Sequence, residues 1–439
     1  MFKYFPHTPE DIASMLEVIG VSSLDDLFAQ INPSLRTMKE FNLPSSQSEY
    51  EVRKTIGNLA KMNQTYISFL GAGSYESFTP SVVASLTSRQ EFLTAYTPYQ
   101  PEISQGTLQY VFEFQSMISE LTGMDVANAS MYDGATATAE AMLMASAHTK
   151  RSTLLLSGTL HPHTIEVVKT YAKYRGLQVK VIPASNHILD VKALEFALDE
   201  DVAGLIVAYP NYYGYLEDYE AVSPLLQKNK SLFIIQTDPS SLALFKTPRA
   251  WGADIVCGEA QSLGIAPSYG GPYLGILATT KALMRKLPGR IVGMTKDIDG
   301  KRAFVLTLQA REQHIRREKA NSNICSNQSL MALSTVIYMS LMGKQGMEAV
   351  AKRAYDNAHY LESSLVATGK FHQVSDIPHH KEFVLKTDEN LEVLSKKWQE
   401  RGFLGGLMLD SHHALFCGHE TRSKDEIDAF VKVVGESYE

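Results

Sequence analysis

From Thr153 onward the chain alternates short apolar runs with stretches of helical period, and no other feature narrows the possible folds as far. The runs are Leu154-Leu155-Leu156, Val179-Lys180-Val181-Ile182, Gly204-Leu205-Ile206-Val207, Leu232-Phe233-Ile234-Ile235 and Ile255-Val256-Cys257. Amphipathic stretches separate them, Ile165 to Tyr174 and Val191 to Leu198 among them. This repetition predicts a parallel sheet with helices on both faces, since a parallel connection must cross over the sheet. Ligands of such sheets sit beyond the carboxyl ends of the strands. The loops there carry His161, Tyr209-Pro210-Asn211, Asp238 and Gln261.

The flanks differ in pattern. Residues 1–65 read as a peripheral helical arm: Thr8-Pro9-Glu10-Asp11 supplies an N-cap, a first-turn proline and acid near the helix start. Ser46-Gln47-Ser48-Glu49 has capping-box spacing ahead of a second helix that runs to Met62. Residues 66–325 are expected to form a large domain and 326–439 a small α+β domain. In the latter, the runs Glu382 to Leu385, Leu404 to Leu409 and Ala414 to Phe416 alternate with helices at Leu391–Glu400 and Lys424–Val433. Leu330 to Met342 is apolar but broken by serines and too short to span a bilayer, which predicts a buried helix. Phe69-Leu70-Gly71-Ala72-Gly73-Ser74 is not a dinucleotide fingerprint, because Glu76 stands where the third glycine belongs.

Charge and cysteine content exclude several classes. A net charge of −7 argues against nucleic acid or an anionic membrane as partner. Cys257, Cys325 and Cys417 are few and widely spaced, which predicts reduced thiols and no zinc site. The start, Met1 to Pro6, lacks a basic flank followed by an apolar stretch, so a cytoplasmic chain is expected.

Candidate chemistry concentrates in a few places. Tyr96-Thr97-Pro98-Tyr99-Gln100-Pro101-Glu102-Ile103-Ser104-Gln105-Gly106 is the densest polar and aromatic loop, and its prolines lower the entropy of presenting side chains to a ligand. Asp133 to Ala139 resembles a strand-to-helix turn, which serves either to cradle a phosphate or to pack a helix closely. His161 and His163 have no acidic or cysteine third ligand nearby, and His379-His380, His412-His413 and His419 lie in the small domain; no metal is expected. Lys246 precedes the run Ile255-Val256-Cys257 and reads as a solvated loop lysine. Arg311, Arg316, Arg317 and Lys319, interleaved with glutamates, read as a solvated helix face or as an interface to an anion or a partner chain.

Longer motifs carry a family resemblance. The loop Ala95 to Gly106, its continuation Phe112-Glu113-Phe114-Gln115, the segment Glu120 to Ser130 and the segment Arg316 to Cys325 resemble glycine decarboxylase, the P-protein of the glycine cleavage system. The resemblance covers essentially the whole chain and is to the N-terminal member of the two homologous subunits into which some bacteria split that protein. It implies a pyridoxal-phosphate (PLP)-dependent transferase type I, aspartate aminotransferase-like fold with active sites between paired chains. The C-terminal subunit of the family carries the PLP lysine in a His-Lys-Thr segment before a glycine run and a proline. Counting back from Gly270-Gly271-Pro272 puts Gln261 in that lysine's place and Ala260 in the histidine's.

A carboxamide forms no Schiff base, so the resemblance implies that PLP is held covalently by the partner subunit and not by this chain. His161, a ring-stacking position of the fold, and Asp238, a pyridine-nitrogen position, then become vestigial together with Gln261. For Asp238 a helix N-cap ahead of Ser240-Ser241-Leu242 is the alternative. Tyr96, Tyr99, Gln100, Glu102, Ser104 and Gln105 are the expected wall of the partner's site. The implied reaction removes CO2 from glycine and passes the aminomethyl group to the lipoyl arm of the H-protein, in a heterotetramer with two copies of each subunit. Two other readings are a self-sufficient PLP enzyme using Lys246, and a scaffold or H-protein docking subunit with no residue in the site.

Overall fold

The computed structural model describes residues 6–36, 42–308, 313–319 and 327–437. Cys325, Arg311 and the 320–325 part of the family motif lie outside the described residues. Two compact units divide the chain, Met1–Gln64 and Thr65–Glu439.

Among the described residues, the first unit holds two α-helices, α1 (Pro9–Ile19) and α2 (Glu49–Ala60), and two short 3-10 turns between them, none of which buries a residue. Thr8 caps α1, with Asp11 returning the bond to the cap's own N–H at 2.8 Å. The box at α2 lies two residues beyond the predicted one: Ser48 caps the helix and Glu51 closes the box. The same S-x-x-E spacing recurs there, and it leaves Glu49 to pair with Arg53 one turn on.

The second unit is built on a seven-stranded sheet. Its strands are β1 (Val126–Ala127), β2 (Thr153–Ser157), β3 (Gln178–Ile182), β4 (Val202–Ala208), β5 (Leu232–Thr237), β6 (Ile255–Glu259) and β7 (Gly275–Thr279). In space they run β1-β7-β6-β5-β4-β2-β3. Strands β2 to β6 are parallel, as their alternation with helices predicts, and β7 is antiparallel to both neighbours. Every residue of β2, β4 and β7 is buried, so these strands read as continuous apolar runs, whereas the edge strand β3 is mostly exposed.

Side-chain alternation sorts the core onto two faces. Leu155, Leu205, Val207, Phe233, Ile235 and Val256 join Phe114 and Ile118 of α3 (Gln105–Thr122) on one face. Leu154, Leu156, Ile206, Ile234 and Cys257 meet Ala141 and Met142 of α4 (Gly134–Thr149) and Val168 of α5 (Pro162–Arg175) on the other. Cys257 and Cys417 are buried free thiols.

Ser329–Ala367, α6, contains the predicted buried Leu330–Met342 segment and breaks its helical geometry at Gly343, whose φ of 59° favours glycine. Beyond it a four-stranded antiparallel sheet joins His372–Gln373, Glu382–Lys386, His413–Cys417 and Leu407–Met408. Its core packs Trp398, Phe416 and Phe430 together. Leu404 to Leu409, read as one run, is two short strands, and Phe403–Leu404 pairs instead with Ile67–Ser68. Gly405 and Gly406 cause the break: a Cβ on the first would lie 2.4 Å from the Trp398 ring, and one on the second 2.7 Å from the Leu415 carbonyl. No helix among the described residues is long and apolar enough to cross a membrane.

Candidate functional site

At the carboxyl ends of the parallel strands lies a cavity of about 350 Å³. Asp238, directly after β5, and Gln261, after β6, reach this end because β5 and β6 run side by side. Gly258 permits that approach, since a Cβ there would fall 1.9 Å from the Thr237 carbonyl oxygen.

Asp238 is fully engaged. Its Oδ2 lies 2.6 Å from the Nζ of Lys381, and both side chains are almost wholly buried. Its Oδ1 accepts the Ser262 hydroxyl at 2.5 Å and the Ser240 N–H at 3.1 Å. Burial opposes ionisation of Asp238, but the Lys381 charge with the Lys381 and Ser262 hydrogen bonds outweighs it and holds the carboxyl below its ordinary range. Burial likewise opposes the Lys381 ammonium, and the Asp238 charge carries its pKa above the ordinary lysine value. The two form an ion pair. Lys381 also lies over the Tyr75 ring, 3.4 Å from its centroid.

Gln261 uses its carboxamide as a clasp. Its Oε1 accepts the Tyr75 N–H at 2.8 Å, and its Nε2 donates to the Tyr75 carbonyl at 2.9 Å and the Ile265 carbonyl at 2.5 Å. Both amide hydrogens are spent, and Gln261 does not line the cavity. Gln261→Ala is expected to lower stability by about 1–3 kcal/mol, because the Tyr75 backbone would be left unpaired in a buried setting. Equilibrium urea unfolding measures this, and a change within error would show that the clasp contributes nothing.

Glu259 occupies the start of α4. Its Oε2 accepts the Gly134 N–H at 3.0 Å, while Oε1 accepts from Leu274 at 2.9 Å and Gln261 at 3.1 Å. Burial pushes its carboxyl up to about 7 against those three bonds. Asp133 caps the same helix by accepting the Thr136 N–H at 2.8 Å. Of the amides opening α4, those of Gly134 and Thr136 are therefore already bound within the chain.

The remaining wall is also internally paired. His161 Nδ1 accepts the His163 N–H at 3.1 Å, so its Nε2 is the protonated nitrogen and donates to the Ala72 carbonyl at 3.2 Å. Burial, then the His163 charge, lowers its pKa. Tyr75 donates its hydroxyl to Glu382 at 2.8 Å, and the other Glu382 oxygen accepts the Ala72 N–H at 2.5 Å.

Of the residues singled out in the sequence, the structure brings His161, Asp238 and Gln261 to this one place. Tyr96, Tyr99, Gln100 and Glu102 lie elsewhere, on an exposed loop before α3, where Tyr96 is 80% and Tyr99 47% exposed. Ser104 and Gln105 are half-buried at its end, and none of the six lines the cavity. Gln105 fastens the loop to the Arg302–Thr307 strand, donating to the Phe304 carbonyl and accepting the Phe304 N–H, each at 2.9 Å. Lys246 does not line the cavity; it rests 3.6 Å from the Trp251 ring centroid with Glu220 beside it. Among the described residues, no three His, Cys, Asp or Glu side chains are grouped to hold a metal. Lys381 had no local signal: it opens an apolar strand of the small sheet and meets Asp238 only through the tertiary fold.

Comparison with known proteins places this arrangement. The family model of the glycine cleavage system P-protein matches residues 2–434. The chain belongs to that family. It is 48% identical over 99% of both chains to the probable glycine dehydrogenase (decarboxylating) subunit 1 of Anoxybacillus flavithermus. A crystal structure of glycine decarboxylase (P-protein) of the glycine cleavage system, in inhibitor-bound form, superposes with a TM-score of 0.89 at 39% identity, covering 99% of this chain and 100% of that one. Glutamate decarboxylase of Lactobacillus brevis, at 11% identity and TM-score 0.70 over 93% of this chain and 96% of that one, shares the fold alone. The fold is that of the PLP-dependent type I enzymes.

The pocket's own residues do not fit PLP as such a fold would hold it. Position 261 offers no amine, the Asp238 carboxylate is saturated by Lys381 and two serines, and a carboxyl group sits on the helix start where a phosphate would bind.

Proposed function

We propose that this chain is subunit 1 of a glycine dehydrogenase (decarboxylating), active only as part of a complex. Relatives along its whole length bear that name, and the observation that carries the reading here is Gln261, whose amide is bound to Tyr75 where a Schiff-base lysine would be needed. In this reading residues 66–325 and 326–439 are the large and small domains, and residues 1–65 the helical arm. The partner is the C-terminal, PLP-bearing subunit, with two copies of each in a cytoplasmic heterotetramer. Glycine loses CO2 on the partner, and the aminomethyl group passes to the lipoyl arm of the H-protein.

This chain's task is positional. Tyr96, Tyr99, Gln100, Glu102, Ser104 and Gln105 complete the partner's site across the interface, orienting glycine and keeping water out. Tyrosine hydroxyls and amides suit that work, because they direct a carboxylate without adding a competing charge. The exposure of Tyr96 and Tyr99 in the single chain supports the assignment, as large exposed aromatic side chains grouped on one loop favour an interface.

The experiment is reconstitution. The chain alone is expected to give no glycine-dependent CO2 exchange, and adding the partner subunit is expected to restore it. Exchange by the purified chain with PLP alone would overturn the proposal. The alternative of a docking subunit with no residue in the site is separated by the loop variants considered below.

A further inference from the structure

We propose that the strand-end pocket is closed to PLP by three of the chain's own groups, so that returning a lysine to position 261 does not by itself return the cofactor. Lys381 stands where a pyridine nitrogen would meet Asp238, Glu259 stands on the helix start that would take a phosphate, and Gln261 is turned onto Tyr75. This rests on the reading of the chain as the subunit without covalent PLP, and it deepens that reading: loss of a lysine removes only the covalent bond, whereas the other two groups remove the non-covalent seats.

The pyridine seat is filled by a charge of the same sign as a protonated ring nitrogen. Asp238 already receives the Lys381 ammonium on one oxygen and the Ser262 and Ser240 donors on the other. A ring nitrogen would have to expel the ammonium from its 2.6 Å contact with Asp238. It arrives from the start of the small sheet's Glu382–Lys386 strand, is 5% exposed, and is covered by the Tyr75 ring. A buried charge stripped of its partner is strongly unfavourable.

The phosphate seat is filled by a carboxyl group that takes up a backbone donor a phosphate would need. Glu259 draws on the Gly134, Gln261 and Leu274 amides together, so backbone donors that could meet an anion at the start of α4 are turned to a carboxyl group instead. Its raised pKa reflects that enclosure. Asp133 beside it adds no cation. Neither seat depends on the side chain at position 261, and each blocks a different end of the cofactor.

The test uses the chain assembled with its partner subunit, incubated with PLP and reduced with borohydride. A lysine amine and the cofactor aldehyde join with loss of water, and hydride from the borohydride turns that C=N bond into a stable secondary amine. Mass mapping of phosphopyridoxyl peptides then reports each chain separately. The wild-type chain should carry no stoichiometric adduct; one lysine of this chain trapped in most copies would overturn the underlying functional reading itself. Q261K should also carry none, and an adduct at position 261 in that variant would overturn the present inference while leaving the functional reading standing. Q261K/E259A/K381M should be trapped at position 261 in most copies, and its absence from an assembled, cooperatively melting protein would equally overturn the inference. Should the triple variant fail to assemble, trace acetylation of wild type and D238N decides. Lys381 is expected among the least acetylated lysines in wild type and to gain labelling in D238N; labelling equal to that of surface lysines in wild type would refute the filled pyridine seat.

Discussion

Lys381→Met is expected to cost about 3–5 kcal/mol of stability at neutral pH, because it leaves Asp238 as a buried carboxylate without its ammonium. The pH dependence identifies the cause. In the wild-type chain Asp238 is held below its ordinary range, so its contribution is present above the unfolded carboxylate pKa and lost as pH falls through the lower folded value. Lys381 is raised, so its contribution is present below the ordinary lysine pKa and lost only as pH rises through the higher folded value. The pair is therefore intact across the neutral range. In the variant, burial acts on Asp238 against the serine donors and His380 alone, without the Lys381 charge that outweighed it, and raises its carboxyl, so stability should recover as pH falls and the group takes up a proton. Lys381→Met/Asp238→Asn should regain a large part of the loss, since removing both charges leaves no uncompensated ion. Urea unfolding of the three proteins over pH decides the matter. A deficit independent of pH and unrelieved by the second substitution would mean that Lys381 acts only through packing.

Much of the sheet was legible because buried parallel strands announce themselves as unbroken apolar runs. Each of the five runs read from the sequence lies inside an observed strand, from Thr153–Ser157 to Ile255–Glu259. The antiparallel strand Gly275–Thr279, followed only by a three-residue helical turn, and Val126–Ala127, too short at two residues to show a period, went unread. The hairpin of Ile291–Lys296 and Arg302–Thr307 also went unread, its outer residues being exposed and charged. For the site, the identity of residue 261 was legible but its work was not. The Tyr75 backbone that Gln261 clasps is 186 residues away in sequence. Lys381 was hidden for the same reason, since a lysine opening a strand looks solvated until the four-stranded sheet is placed beside Asp238 of the seven-stranded one. Tertiary pairing of this kind leaves no local period to read.

The loop before α3 carries the largest expected effect on activity. Tyr96→Ala/Tyr99→Ala, measured in the assembled complex, is expected to lower kcat/KM for glycine by about 100-fold, the scale of a misplaced reacting group. Tyr96→Ala alone, its ring 80% exposed, should share that kinetic loss while changing the stability of the isolated chain by no more than about 0.5 kcal/mol. That contrast separates a site wall from a structural element. Gln105 offers a graded version, as its two-way bond to Phe304 is what fastens the loop to the hairpin. Gln105→Ala should reproduce part of the kinetic loss by loosening the loop while every tyrosine and glutamate remains. Two results would redirect the reading. If the complex keeps its mass and its kcat/KM in the double variant, the loop does not border the site, and the chain is a docking subunit. If the complex falls apart while the chain stays folded, the tyrosines hold the partner, and glycine is oriented by other groups.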